Sequence, residues 1–587
     1  MSDTGRVRKR LVSFGVMLRR LATIVLLLGV FAVSAHATPR ANPAVVDLMP
    51  GVTFTQTVQF TPHGPVVVSV LTAPKPDPAG LYQLVPVLGR ATVMGGRERV
   101  TQIEKDVSPR ATVAGINGDF FSAKDGSPSG IFLSDGVLAH PPLSTRSSIG
   151  IDSAGLLHVD RVKFFGTWRG TGQRRPLNGL NETPKPGEVI LFTPAYGART
   201  PVVAGAVEVV LDAFPAAMPN TDLTATVTAA ATGGGSAIPP TGGVLMAAGA
   251  SAATALQTEA PVGSTLTARL ILQPAWAGVV SGLGGGPVLV RNGKAVFRSL
   301  EDFTNDQVTG RDPRAGVGQL ADGRVILVAV DGGQPGYSVG LTSFELAQTM
   351  QRLGAVTASA VESGGSVSVA FDGRLLSRPS DPTGERAVKE ALLVQYVGVY
   401  APQAAVPLLN GEPGRTSEPL GYKLVRPSVV TAELVGPDGV PRVLESAVKH
   451  DPGAYTFADP TFDSEGTWRW LVTATDDLGR ASTIDRPFRY DLTLRALTAP
   501  GLAHAHAAIR FTLSRPARVR LQIETTTGVL VRALPAASLA AGPQSLTWDG
   551  RLPHGTKAYN GTFVAHVFAT SDAGTSDLAT QFTFRRK

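Results

Sequence analysis

Two acids in this chain stand at the ends of apolar runs and directly before glycines, a setting that suits hydrolytic acid–base chemistry. The run Arg324-Val325-Ile326-Leu327-Val328-Ala329-Val330 stops at Asp331-Gly332-Gly333, and Ala355 to Val361 stops at Glu362-Ser363-Gly364-Gly365-Ser366. A carboxyl at a strand end, with backbone of unusual freedom beside it, can approach a ligand and exchange a proton with it. Three further clusters offer complementary groups. Asn117-Gly118-Asp119-Phe120-Phe121 closes the strand-like run Arg110 to Ile116 with an amide and a carboxyl. Arg314 carries a planar fork that can clamp an anionic oxygen. The backbone of Gly284-Gly285-Gly286 can form an anion-binding nest. The same residues also suit turn-capping acids, a β-turn, a surface ion pair and a tight hairpin, and spacing alone leaves both readings open. His140, beside Pro141-Pro142, is either a border of that crevice or an ordinary loop histidine.

The elements that must position the two acids read as strand, helix, strand. Thr342 and Glu345 have the spacing of a capping box, Leu346, Met350 and Leu353 recur at i, i+4, i+7, and Gly354 supplies a stop. Two strands joined through a helix usually run parallel, so Asp331 and Glu362 are expected on one sheet edge, facing one crevice. Adjacent strands lie about 4.8 Å apart, and a shared hydrolytic site places the acids about 5–10 Å from each other.

Composition bounds the rest. With 587 residues, 43% hydrophobic and 17% charged, the chain is long enough for three or four domains, and 65 Gly and 44 Pro favour strands and turns. Residues 1–37 read as an export signal: six basic residues, the apolar run Leu21 to Ser34, then Ala35-His36-Ala37 before Thr38. Removing that segment takes away six basic and one acidic residue and lowers the net charge from +8 to +3. The basic balance therefore gives no reason to expect nucleic acid. There is no cysteine, which excludes disulfides, thiol nucleophiles and thiolate metal sites. Residues 221–260, rich in Ala, Gly and Thr, read as a linker or, preferably, a loop-bearing part of the main domain. After Tyr400 short strand signals recur between Pro-Asp-Gly and Asp-Asp-Leu-Gly turns, as in β-sandwiches.

Taken in order, the clusters resemble the phosphodiester glycosidase family. The matching residues are Asn117 to Phe121, Gly285-Gly286-Pro287, Arg314 to Gly318, Asp331-Gly332, Ser338 to Thr342, Glu345 to Ala347, Glu362 to Ser366, Arg378 to Asp381, and Gly384 to Val388. The resemblance covers about residues 50–400. It implies hydrolysis of the sugar C1–O bond of a glycosyl phosphodiester of the N-acetylglucosamine type, with Asp331 and Glu362 catalytic. It further implies Arg314 and Arg386 for phosphate, Asn117 and Asp119 for sugar hydroxyls, and Gly364, Gly365 and Ser366 in substrate binding. Two departures stand out: the family pattern usually has Asp-Gly where this chain has Glu362-Ser363, and an arginine where it has Gly333. The C-terminal residues Thr547-Trp548-Asp549-Gly550, Gly555 and Asn560 to Phe563 resemble the Ig-like module of flagellar hook-capping proteins.

The expected architecture is a signal peptide at 1–37 and an α/β (mixed, strand-rich) main domain at 45–400. Two all-β Ig-like sandwiches at 402–490 and 491–587 complete it. The expected partners are a glycosyl phosphodiester or glycan substrate and, for a secreted or periplasmic chain, the cell envelope. No nucleic acid, obligate protein partner, cofactor or metal ligand is assigned. The alternative is a non-catalytic glycan-binding or adhesion protein of the envelope with a degenerate site.

Overall fold

The computed structural model describes residues 45–402, 408–410, 420–457, 462, 464–526 and 530–586. The expected export signal and the cleavage position before Thr38 lie outside the described residues. No helix among the described residues is long and apolar enough to cross a membrane.

Two antiparallel sheets face each other at the centre of the main body. The larger has eight strands in the order Val45–Met49, Val52–Thr61, Gly64–Ala73, Val325–Val330, Arg314–Leu320, Ala355–Ala360, Val288–Arg291, Lys294–Ala295. The smaller has five, in the order Arg374–Leu375, Val369–Phe371, Thr112–Asn117, Glu390–Tyr396, Tyr82–Leu88. The apolar run at 325–330 is buried on both faces. Val325, Leu327 and Ala329 meet Ala114, Ile116, Leu392 and Val394 of the smaller sheet. The alternate residues Ile326, Val328 and Val330 pack with Leu346, Ala347 and Met350 of the helix Ser343–Arg352. The helix Val100–Val107 covers the outer face of the smaller sheet through Val100, Ile103 and Val107. The result is four layers, helix, sheet, sheet, helix, with strand side chains alternating between core and cover.

The capping box forms as the spacing implies: Thr342 Oγ1 accepts from Glu345 N, and Glu345 Oε2 accepts from Thr342 N. Gly354, at φ +93°, ends the helix, while Leu353 sits at the C-cap, exposed rather than in the core. The strands Val325–Val330 and Ala355–Ala360 run in the same direction but are not neighbours. Arg314–Leu320 lies between them, antiparallel to both. Two interstrand spacings, about 9–10 Å, therefore separate their carboxyl ends.

Residues 221–260 are more regular than a loop. They contain the strands Asp222–Thr226, Ala229–Gly234 and Gly243–Ala247 and the helix Ala250–Glu259. Small side chains let these strands pack closely, and Leu223, Leu245 and Leu256 join one core with Trp168 and Leu270. Beyond Tyr400, one group of strands builds its core around Trp468 and Trp470, and the last group packs Phe563, Phe582 and Phe584 around Trp548. The first of these groups is tied to the main body: Arg480 donates to the Gly80 carbonyl at 2.8 Å, Lys423 to Ser108 Oγ at 2.9 Å, and Val399 N to Ser482 Oγ at 2.9 Å.

Lys389 is fully buried at the start of the Glu390–Tyr396 strand, and its ammonium donates to the carbonyls of Gly89, Thr92 and Gly96 at 3.2, 2.6 and 2.8 Å. Burial pulls its pKa down to about 8. Those three bonds fix the turn that leads into Arg97. Lys389→Met removes the donor from three carbonyls and is expected to lower stability by about 3 kcal/mol. Chemical denaturation of the two proteins measures it, and an unchanged midpoint would show that the turn is held by other means.

Candidate active site

The segment Asn117-Gly118-Asp119 leaves the smaller sheet between two glutamates. On one side Gly118 N donates to the Glu390 carbonyl at 2.7 Å and Asp119 N to Glu390 Oε1 at 3.1 Å. On the other, Glu362 N donates to the Gly118 carbonyl at 3.1 Å and Asn117 Nδ2 to the Glu362 carbonyl at 2.9 Å. The structure thus brings Asp119, Glu362 and Glu390 together, from three distant stretches of sequence. Glycine is required where they meet. A Cβ on Gly118 would lie 2.6 Å from the Glu390 side chain, and one on Gly284 would lie 1.9 Å from Asp119 Oδ2. Gly130 closes on the same carboxylate from another side, where a Cβ would stand 2.5 Å away.

Burial dominates the charge state of these acids. It raises Glu362 to about 8, with the Asp119 charge adding to the rise and Ser366, Arg386 and Arg97 opposing it. Asp119 rises to about 7, also through burial, tempered by the Phe120 and Gly130 amides and by Arg146. Glu390 is raised well above its usual range by burial and by the Asp119 charge. Ser366 lies near enough to affect Glu362 but outside hydrogen-bond geometry. Glu362 Oε2, Glu390 Oε2, Ser366 Oγ and Ser368 Oγ are all buried without a hydrogen-bond partner. A buried polar atom left unpaired costs about 1–3 kcal/mol, which marks these groups for a role beyond packing.

Asp331 stands on the same sheet edge in a different environment. Tyr337 donates its hydroxyl to Oδ2 at 2.8 Å, and Arg378 N lies 3.3 Å from both carboxylate oxygens. Burial still raises its pKa, against those donors. The pull on the phenol is reciprocal, and Tyr337 is pushed up to about 12, chiefly by burial. The charges that act on Glu362 are those of Asp119, Arg386 and Arg97. The acid pair singled out from spacing is therefore joined by a tighter cluster built on Asp119.

Several expected ligand contacts have structural work instead. Asn117 is buried, and its amide serves backbone: Nδ2 donates to Glu362 and Gly118, and Oδ1 accepts from Ser368 N at 3.3 Å. It positions the Glu362 turn and presents nothing to a sugar. Arg314 is buried as well. Its Nε donates to the Leu341 carbonyl at 3.0 Å and Nη2 to that of Gly310 at 2.8 Å, with Asp312 as its ion partner at 3.6 Å. Held through Nε and Nη2, the fork braces two loops. In the glycine segment, Gly286 N donates to the Ala360 carbonyl. His140 is buried, with Nδ1 2.7 Å from the Gly130 carbonyl, and anchors the loop that closes on Asp119.

Arg386 remains at the mouth. It pairs in fork geometry with Asp381 at 2.7 and 2.8 Å, and this pair lies directly on Gly365, where a Cβ would meet Arg386 Nη2 at 2.2 Å. Its side chain is 40% exposed, and Glu362 is within its field. Gly364, at φ +71°, donates its amide to the Pro313 carbonyl, which turns the chain into buried Gly365 and Ser366. Ser363 has φ −111°, an ordinary value, so serine fits there without strain.

Sequence reasoning missed Glu390, Ser368, Arg97 and Arg146. For Glu390 a signal existed: Lys389-Glu390 is a charged pair inside an otherwise apolar run, Ala387 to Val394. Arg97 and Arg146 sit on loops and gain their place only through tertiary contacts. Arg97 lies over the Phe121 ring at 5.2 Å, and Arg146 over Phe120 and Phe303 at 4.9 and 4.4 Å. Among the described residues no three or more His, Asp and Glu side chains converge as a metal site would require.

The raised acids make stability depend on pH. Asp119 and Glu362 bind protons more tightly folded than unfolded, so their contribution is complete below about pH 4 and is lost as pH climbs through about 7 and 8. Glu390 acts in the same sense. Glu390→Gln, which keeps a neutral side chain at every pH, is expected to flatten the fall in melting temperature between pH 5 and pH 9. Parallel slopes in the two proteins would show that Glu390 is not part of the titrating cluster.

Residues 220–395 match the family model described as phosphodiester glycosidase, and residues 497–573 match the FlgD Ig-like domain. Asp119 precedes the first range, and the fold carries it onto Glu362 and Glu390 within it. A curated relative, the SPbeta prophage-derived uncharacterized protein YomE of Bacillus subtilis, is 30% identical over 108 residues, 18% of this chain and 16% of the relative. A hypothetical protein from Synechocystis superposes with a TM-score of 0.51 at 26% identity, over 61% of this chain and 64% of that one. The chain thus spans less than two thirds of the length of either. The catalytic domain of zebrafish N-acetylglucosamine-1-phosphodiester alpha-N-acetylglucosaminidase, auto-inhibited by its pro-peptide, gives a TM-score of only 0.32 at 14% identity, over 60% of this chain and 84% of that one. On the family matches, the chain carries a domain of the phosphodiester glycosidase family and, after it, an Ig-like domain of the FlgD type.

Proposed function

We propose that this chain is an exported hydrolase that breaks the sugar C1–O bond of a glycosyl phosphodiester of the N-acetylglucosamine type, in envelope or extracellular glycans. The observation that carries the reading is Glu362: a half-buried carboxyl whose pKa burial raises to about 8, with Oε2 unpartnered and two arginines, Arg386 and Arg97, in its field. A protonated acid beside cations suits a departing phosphate. The arginines hold the phosphate oxygens, and Glu362 gives its proton to the bridging oxygen as the C1–O bond breaks. Water then adds to C1 and surrenders a proton to a carboxylate, leaving a free sugar and a phosphomonoester. Asp331, oriented by Tyr337 and Arg378, is the candidate for that second carboxylate. The export order at residues 1–37 supports placing the reaction outside the cytoplasm, and the two C-terminal β modules serve as spacers or attachment modules.

A second reading, glycan binding without turnover, draws on two specific observations. Glutamate at 362 sets the carboxyl one methylene further out than the family aspartate, and Nε and Nη2 of Arg314 are held by backbone carbonyls. Sugar release from a panel of glycosyl phosphodiesters separates the two readings. The hydrolase reading expects Glu362→Gln and Asp331→Asn each to lose at least about 100-fold in turnover with the fold intact, as removal of an acid or base usually does. It expects Glu362→Asp to keep or raise the rate, and the rate of the unaltered chain to fall above about pH 8 as Glu362 ionises. Full activity in both amide variants would contradict it.

A further inference from the structure

A cleft of about 740 Å³, lined by both apolar and polar side chains, opens beside the acid cluster, in the size range of ligand sites. The wall between them is the turn Gly284 to Pro287. On one side Gly284 touches the Asp119 carboxylate; on the other, Gly286 abuts Phe303 and Glu301, where a Cβ would stand 3.1 and 2.4 Å away. Phe303 lines the cleft and stacks at 5.7 Å on Phe120, the residue after Asp119. Arg146 sits at this junction over both rings, with Nε on the Asp302 carbonyl. Its Nη nitrogens make no hydrogen bond among the described residues.

The far side of the cleft is held open in an unfavourable posture. Phe297 and Leu300 line it yet are 79% and 73% exposed, and Leu300 has φ +58°, a left-handed value strained for a branched side chain. The loop is nonetheless pinned. Glu301 accepts from Ser147 N and Val288 N, both at 2.7 Å, and Arg161 donates to the Ser299 carbonyl at 3.1 Å and to that of Leu300. Three polar groups in the lining are already engaged at home: Glu301 has both oxygens occupied, Thr342 Oγ1 serves the helix cap, and Thr309 donates to the Asn305 carbonyl, while Arg298, Ser299, Asn305 and Ser343 also line the cleft. A pinned trough with Phe297, Leu300, Phe303 and Phe344 along it, beside the Arg146 cation, suits a chain that is apolar along its length and anionic at one end.

We propose that this cleft holds the alkyl chain of the substrate's own alcohol, so that the diester hydrolysed is a glycosyl phospholipid. The proposal rests on the phosphodiester glycosidase reading of the neighbouring site. The test compares methyl and octyl diesters of N-acetylglucosamine α-1-phosphate on the full chain. The octyl diester is expected to exceed the methyl diester in kcat/KM by at least about tenfold, since each buried methylene adds favourable transfer energy. In Phe297→Ser/Leu300→Ser that ratio is expected to fall to about three or below. Both side chains are exposed, so the fold should tolerate the change, and the ratio in the unaltered chain needs no variant. A ratio near one in an active protein overturns the proposal. If neither diester is cleaved, the glycosidase reading fails, and calorimetry with octyl and methyl phosphate decides the cleft. Octyl phosphate binding at least tenfold tighter, with the difference lost in the double variant, sustains the alkyl site; equal binding refutes it. Sedimentation with phosphatidylcholine vesicles that depends on Phe297 and Leu300, without octyl phosphate binding, would mark a membrane contact and also overturn it.

Discussion

The enclosure of Asp119 is the constraint on which the site depends. Its carboxylate is gripped between Gly130 and Gly284 so closely that neither position accepts a Cβ, and its backbone is held by Glu390. Once that carboxyl is buried beside Glu390, the two cannot both ionise at modest cost, and Glu362 feels the same charge. The proton inventory of the site thus follows from steric closure by glycine. The unusual acidity of Glu362 is a consequence of packing two sheets and three loops around one short segment.

An arrangement of this kind persists only if the surroundings over-determine it. The four-layer core supplies that rigidity: strands at 112–117, 325–330, 355–360 and 390–396 are buried on both faces and end near the site. Polar braces complete the hold. Arg314 joins the loops at 310 and 341, Lys389 gathers three carbonyls ahead of Arg97, and His140 fastens the Gly130 loop. These are buried groups that neither touch the four unpartnered site atoms nor face solvent, and their chemistry is used to fix backbone.

Much of this framework was legible in the sequence because it rests on local signals. The runs ending at Asp331 and Glu362, the Thr342–Glu345 box and the Gly354 stop are all short-range patterns, and they appear as read. Register across the sheet was not legible, because the intervening strand at 314–320 precedes both in sequence and carries no mark of its place. The backbone contacts of Asn117 and Arg314 were not legible for a related reason. Residue type says what a side chain can bind, whereas burial decides whether backbone claims it first. Glu390 was the recoverable omission, since an acid inside an apolar strand needs a reason to be there.

The most direct test of the account is the titration of the Glu362 carboxyl, followed by ¹³C NMR of selectively labelled glutamate and assigned with Glu362→Gln. The account predicts an apparent pKa of about 8, moving down in Asp119→Asn because a neighbouring negative charge has been removed. A midpoint near 4.5, or one indifferent to Asp119→Asn, would contradict the coupled, glycine-enclosed acid cluster on which the functional reading stands.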